Sequence, residues 1–414
     1  MSTKRKILFV LPFLPYPMIS GGHQALFCGI AAIQNDFQVH VAFLQEETPQ
    51  YNENVQKFAA AIPGIVLYPL LYKRTQKRGL RHIVSKLFRR GQCCDSPIIS
   101  RTSNWKFMVS PSNIKWFQHL GAIFAKEHFD IIQVELPERL SDIFALPSDC
   151  KKVYVHHELG FVRRNLEMLQ LSNDIYAEGC RRFADFNEIG QLNLYDAVIT
   201  LSATDKQKLY DKGVSTPIFS SFATIRSSDR ISTPKGTGRH LTTIAPDFHY
   251  PNFAGVSWFL DNCWPVLKDR DETYTLDIIG KWSDAHIREF TAKYRDVHFL
   301  GFVDDLSAAL DDSIMIVPIT IGSGIRMKIL EASANGIPFV STSVGAEGLP
   351  LEDGQDCYIT DDPMQFVEHI VRLQQLEIRQ KFSRNAHDKI TRLYSVAALR
   401  ENRLNIYNTI LSGD

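Results

Sequence analysis

Short apolar runs alternate with stretches of helical period along this chain, and the alternation stops once and then restarts. In the first half the runs are KILFVLPF, QVHVAFL, GIVLYPLLY, DIIQVE, KKVYVHH and DAVITLS. They are too short for helices and largely apolar on successive residues, the pattern of strands buried on both faces of a parallel sheet. After Phe222 the stretch ATIRSSDRISTPKGTGRH has the Ser, Thr, Gly and Arg content of a linker. HLTTIAP, YTLDIIG, VHFLGFV, SIMIVPIT and PFVSTSV then repeat the rhythm. This predicts an α/β chain with two doubly wound domains, 1–222 and 239–390. A length of 414 residues agrees, since one compact core seldom holds so many. Residues 391–414 carry apolar side chains at helical spacing and are expected to form a C-terminal helix that packs back across the domain junction.

Composition narrows the function classes. The 46 basic and 46 acidic residues cancel, so no global field calls for nucleic acid. The seven cysteines are scattered and include no C-x-x-C pair, which argues against a disulfide framework or a structural zinc and fits a reducing cytoplasm. The opening MSTKRKILFVLPFLPYPMISGG has the basic head and apolar run of a signal peptide, but prolines interrupt it and a double glycine follows. It reads as a first buried strand. No apolar stretch is long enough to span a bilayer.

Two Rossmann-like domains that face each other bring the loops after their strands to a shared cleft. In the first such loop, Gly21 and Gly22 precede an apolar helical segment, where backbone N–H groups can approach an anion. The G-x-G-x-x-G spacing of a dinucleotide site is missing there, and no G-x-x-x-x-G-K-[ST] occurs anywhere. A later loop, PITIGSGIRMKILEASANGIP, is more informative. Gly322 and Gly324 permit a tight turn into a helix expected over about 325–335, stopped by Gly336 and Pro338. Arg326 falls in its first turn, and Lys328 and Glu331 share one face. Cations beside free N–H groups suit a diphosphate, and an ionised carboxylate one turn deeper suits the paired hydroxyls of a ribose. In VYVHHELGFVRRN strand alternation sends His156 and His157 to opposite sides, so one faces the cleft and the other the core. Glu135 closes DIIQVE at another strand end. The acidic pairs Asp304-Asp305, Asp311-Asp312 and Asp361-Asp362 lack D-x-D spacing and read as caps and turns, so no metal site is expected.

In these segments the chain resembles the GT-B glycosyltransferases, in particular the retaining family 4 type that uses nucleotide-sugar donors. The likeness runs through FVLPFLPYPMISGG, APDFHYPNFAGVSWFL, LDIIG, VHFLGFVDDL and PITIGSGIRMKILEASANGIPFVSTSVGAEGL. It implies a metal-independent hexosyltransferase that uses a nucleoside diphosphate sugar as donor substrate and has no cofactor. The acceptor would be a glycan or a lipid- or protein-linked hydroxyl. The family's two loop glutamates lie eight positions apart, and the second, on the nucleotide ribose, matches Glu331. The first falls on Ser323. Pro246, Asp247 and Asn252 stand where the family usually has G-R followed by K, and one branch of the family carries the cations inside the later helix, as Arg326 and Lys328 do here. The resemblance thus assigns His157, Arg326 and Lys328 to catalysis, and Gly21, Gly22, Asp247, Ser323, Gly324, Ile325 and Glu331 to the donor. Glu135 and His156 are assigned to the acceptor. A nucleotide-sugar 2-epimerase and a noncatalytic sugar- or nucleotide-binding protein are the rival readings on the same fold.

A last feature concerns location. In YKRTQKRGLRHIVSKLFRR the residues Leu80, Ile83, Val84, Leu87 and Phe88 recur at helical spacing among eight cations, with no acidic residue from Tyr72 to Cys94. Anionic lipid attracts such a segment. The expectation is a cytoplasmic protein that meets the inner face of a membrane through 73–90.

Overall fold

The computed structural model describes residues 4–73, 114–169, 175–225 and 231–413. The basic segment 73–90 lies outside them except for Lys73, whose Nζ is 3.5 Å from Glu47. β1 (Lys6–Leu11), β2 (Gln38–Glu46), β3 (Val66–Tyr72), β4 (Ile131–Glu135), β5 (Lys151–His156), β6 (Ala197–Thr200) and β7 (Ile218–Ser220) make a seven-stranded sheet ordered β3-β2-β1-β4-β5-β6-β7. β8 (His240–Ile244), β9 (Thr275–Ile279), β10 (Val297–Gly301), β11 (Ile314–Val317), β12 (Phe339–Ser341) and β13 (Tyr358–Ile359) make a six-stranded sheet ordered β10-β9-β8-β11-β12-β13. Every paired strand is parallel to its neighbour. The apolar runs in the sequence all become strands. β7 and β13, with three and two residues, are too short to show a period and were not expected.

Both faces of each sheet are covered, which is why the strands are apolar on successive residues. Ile7, Phe9 and Leu11 of β1 pack on one side with Ile30 and Ile33 of the helix Gly21–Ile33. Leu8 and Val10 pack on the other with Trp116 and Leu120. The second sheet repeats the arrangement, with Ile314 and Ile316 in one layer and Met315 and Val317 in the other.

The expected C-terminal helix is present and starts at Val396 rather than 391. Leu376–Leu393 and Val396–Ser412 are separate helices, broken at Tyr394 and restarted by Ser395, whose Oγ accepts from the Ala398 N–H. The former buries Phe382, Ala386 and Ile390 against the second sheet's layers. The latter crosses to the first sheet, where Leu399, Ile406, Tyr407 and Ile410 join its core beside the helix Gly21–Ile33. Ile406→Ala therefore removes a buried side chain from the first unit although it lies at the far end of the chain. We expect a loss of about 2–5 kcal/mol, read as a lower urea midpoint for the transition of that unit. An unchanged midpoint would mean that the last helix does not dock there.

Candidate active site

Strand order reverses beside β1 and β4 in the first sheet and beside β8 and β11 in the second, and doubly wound sheets bind ligands past the carboxyl ends of strands at such points. The loop after β11 carries Gly322 and Gly324 at φ 126° and 78°, conformations that suit glycine. A side chain at Gly324 would also collide with the carbonyl oxygen of His157, just past β5. The loops of the two sheets therefore touch through backbone. Arg326 stays extended and the helix begins one residue later, as Met327–Ala334, with no side-chain cap on its first N–H groups. Opposite it stands the start of the helix Gly21–Ile33: a Cβ on Gly21 would lie 2.6 Å from that of Met327. Two helix N-termini thus meet at one point.

The charged side chains gather around it. Arg326 folds back so that Nη1 donates to the carbonyls of Ser323 and Gly324. Its Nε and Nη2 are buried without a partner among the described residues. Lys328 donates from Nζ to Asn252 Oδ1 at 2.9 Å rather than to Glu331. Its ammonium therefore reaches the segment after β8 where the resemblance expects a lysine. Burial, with Arg326 adding repulsion, pulls the Lys328 pKa down from 10.5 to about 7. Burial pushes the Glu331 carboxyl up from 4.5 to about 7, against the pull of Lys328. The site holds cations at a cost in hydration that an anionic ligand would relieve.

The histidines divide as alternation requires. His157 Nε2 is 2.7 Å from Glu135 Oε2, and its ring is partly open. His156 is 3% exposed and bonds Glu188 Oε1 at 3.0 Å, with Arg164 Nη2 2.5 Å from the other oxygen of that carboxylate. His156 thus lies in the core beside a carboxylate that Arg164 also pairs, and His157, its alternate on the strand, is the one nearer the cleft. Glu135 is buried as well, behind His157. Ser323 is buried with its Oγ accepting from the Leu159 N–H at 2.7 Å, so it pins the two units together. Asp247 is engaged by the Ser283 N–H and by His286 Nδ1, each at 2.8 Å. Ile325 leans on Gly348, which also approaches Ser202 of the first unit.

Some residues at this junction escaped the sequence reading. His249 follows β8 and lies among Glu158, Arg163, Lys328 and Arg326, and burial lowers its pKa to about 4. Arg163 sits in the first turn of the helix Gly160–Leu169 with Nη1 3.4 Å from Glu158. His23 bonds Ser20 Oγ at 2.8 Å and stacks on Phe13. Their signal was present in the position of each shortly after a strand. Among the described residues no group of three or more His, Cys, Asp and Glu side chains is arranged to hold a metal ion.

Residues 241–375 match the family model described as Glycosyl transferases group 1. Three solved structures superpose along nearly the whole chain. TarM aligns with a TM-score of 0.72 at 12% identity, covering 98% of this chain and 99% of that one. Sucrose-phosphate synthase from Thermosynechococcus elongatus aligns at 0.68 and 13% identity, covering 99% and 100%. HepE of Anabaena, in complex with UDP-glucose, aligns at 0.63 and 12% identity, covering 98% and 99%. The chain has the GT-B glycosyltransferase fold. A curated relative, an uncharacterized 44.6 kDa protein in the cps region of Klebsiella pneumoniae, is 27% identical over 128 residues. That match takes in 29% of this chain and 33% of the relative, so the chain spans about a third of the relative it matches.

In this GT-B chain the two displaced pKa values give stability opposite slopes on either side of neutrality. Between about pH 4.5 and 7 the folded protein keeps a proton on Glu331 that the unfolded chain has released, so this contribution is complete at low pH and is lost as pH rises through about 7. Between about 7 and 10.5 the unfolded chain holds the Lys328 proton that the folded one has lost, so stability rises with pH there. Glu331→Gln should flatten the first slope and Lys328→Met the second in thermal midpoints taken across pH. Curves parallel to wild type would place both side chains in water.

Proposed function

We propose that the chain is a retaining glycosyltransferase of the family 4 type, which moves a hexose from a nucleoside diphosphate sugar to an acceptor hydroxyl. The observation that carries this reading is Arg326, whose Nε and Nη2 are buried without a partner among the described residues where two helix N-termini meet and next to Lys328. Such a constellation suits a diphosphate. Support also comes from two structural neighbours: HepE in complex with UDP-glucose, and a Staphylococcus aureus TarM variant in complex with UDP and alpha-GlcNAc-glycerol.

In this reading the leaving diphosphate gains charge as the anomeric bond breaks. Arg326, Lys328 and the N–H groups opening Met327–Ala334 stabilise it most in the transition state, without a metal ion or other cofactor. Glu331 takes the ribose hydroxyls. The turn at Ser323, Gly324 and Ile325 and the N–H groups of Gly21 and Gly22 shape the rest of the donor site, with Asp247 at its edge. His157 contacts the reacting sugar. The acceptor hydroxyl attacks from the face that the diphosphate leaves, and a donor phosphate oxygen takes its proton. Ser323, pinned to Leu159 where the family has a glutamate, favours the rival of a noncatalytic binding protein.

A screen with labelled nucleotide sugars tests the reading. Transfer or slow hydrolysis is expected; an epimeric product would make it a 2-epimerase, and binding without turnover a binding protein. Arg326→Ala should lower kcat by about 100-fold with a smaller change in donor KM. Glu331→Gln should weaken UDP binding by about 10-fold in calorimetry. If both variants bind UDP and turn over like wild type, the donor does not sit here.

We further place the acceptor at the inner face of a membrane, supported by the basic segment 73–90 and by free cysteines that fit a reducing cytoplasm. No described helix is long and apolar enough to cross a bilayer. Salt-sensitive co-sedimentation with anionic vesicles, abolished when Arg78, Arg81, Arg89 and Arg90 become glutamate, is expected. A wild-type protein that stays in the supernatant at low salt would point to a glycan or protein acceptor free in solution.

A further inference from the structure

The last helix sends two polar side chains into the first unit. Arg403 and Tyr407 are 5% and 1% exposed and line a small cavity with Gln133, Glu135 and His157. Nε and Nη1 of Arg403 have no partner among the described residues, and its side chain also interacts with the Tyr407 hydroxyl. That hydroxyl is 2.6 Å from Gln133 Oε1, Gln133 Nε2 is 2.6 Å from Glu135 Oε1, and Glu135 Oε2 is 2.7 Å from His157 Nε2. The hydrogen bonds thus form one line from Tyr407 to His157, with Arg403 beside its first member, joining the last helix, β4 and the residue just past β5.

The chemistry of the ends gives this line a direction. A guanidinium only donates, and an ionised carboxylate only accepts. Glu135 must therefore receive a proton donor from each side: the Gln133 amide N–H on Oε1, and the Nε2–H of His157 on Oε2. With its N–H₂ turned to Glu135, Gln133 presents its carbonyl to the Tyr407 hydroxyl. That hydroxyl donates to it and is left to accept from Arg403. Each link fixes the next. Glu138 gives the arrangement a purpose: it acts on His157 as well, its Oε2 is buried without a partner among the described residues, and it offers the ring a second acid.

We propose that Tyr407 and Arg403 are positioning residues for His157, which hold it through Gln133 and Glu135 in the Nε2–H tautomer with its ring turned to Glu135. This rests on the reading of His157 as a sugar-contacting residue only for its consequence in turnover. The tautomer itself is a property of the free protein. It also gives the crossing of the last helix a role in the site, because the helix that closes the first unit's core completes the line that orients the histidine.

Long-range proton–nitrogen spectra of the full chain labelled with ¹⁵N-histidine test the proposal, with His157 assigned by the signal lost in His157→Gln. Wild type should show a single Nε2–H pattern. Tyr407→Phe removes one oxygen and keeps the ring that packs against Phe37 at 5.6 Å; it should move His157 to a mixture of tautomers while UDP binding stays as in wild type. Arg403→Met is the second variant should Tyr407→Phe not fold, and should shift His157 in the same sense, with Arg403→Lys restoring most of the wild-type pattern. With a turned-over donor, kcat should fall by about 10-fold at unchanged donor KM. If the His157 signals stay at the wild-type positions in the folded variants, whatever happens to the unfolding midpoint, both side chains serve packing alone and the proposal is wrong. A chain that turns over no donor yet shows the tautomer shift would overturn the transferase reading and leave this one standing.

Discussion

The approach of Gly324 to the carbonyl of His157 sets how close the two sheets come. Backbone meets backbone there, and a side chain of any size would hold the loops apart. Ser323 fastens the same contact by accepting from Leu159, and Lys208 bridges to Glu347 at 2.5 Å nearby. With the gap fixed, the start of the helix Met327–Ala334 arrives opposite Gly21, and the positive ends of two helix dipoles reinforce one another. Charge follows from backbone geometry here, and the side chains add to a field already present.

The departure from the pattern that the sequence resembles has a physical counterpart at Asn252. A lysine in that segment would point its ammonium at the junction from the second sheet's first loop. Here Asn252 is neutral and binds the ammonium of Lys328, which comes from the other side. The positive charge that meets this segment is thus supplied from the helix after β11. Because Arg326 and Lys328 lie two residues apart, the exchange puts both cations on one short stretch, and their mutual repulsion adds to burial in lowering the affinity of Lys328 for its proton. A site built this way is least stable when empty and charged, and a diphosphate offsets that cost.

Most of the sheet architecture was legible because a strand buried on both faces must be apolar on successive residues, and ILFVL of β1 and IMIV of β11 are. β7 and β13 were not, since two or three residues carry no period. The loop after β11 was legible as a glycine turn into a helix for a local reason: glycine, arginine and lysine spacing around a helix start survives in one dimension. His157 needed alternation to separate it from His156, and alternation sufficed. What sequence withheld were pairings across long separations. Ser323 reads as a missing glutamate until it meets Leu159, and His249 reads as a loop residue until Glu158 and Arg163 surround it.

The same limit applies most strongly to the end of the chain. LRENRLNIYNTIL shows an amphipathic helix, and its leucines and isoleucines account for docking. Nothing local distinguishes Arg403 and Tyr407 from the arginine and tyrosine of any helix whose polar residues face water. Their meaning comes from 274 positions away, where Gln133 takes the Tyr407 hydroxyl. A buried arginine in an apolar interface is costly unless its donors are used, and a packing role would be served better by leucine or methionine. The presence of a guanidinium and a phenol on the buried face of a crossing helix therefore argues for a polar task, and the acid that shares their cavity is the one that holds the histidine at the cleft.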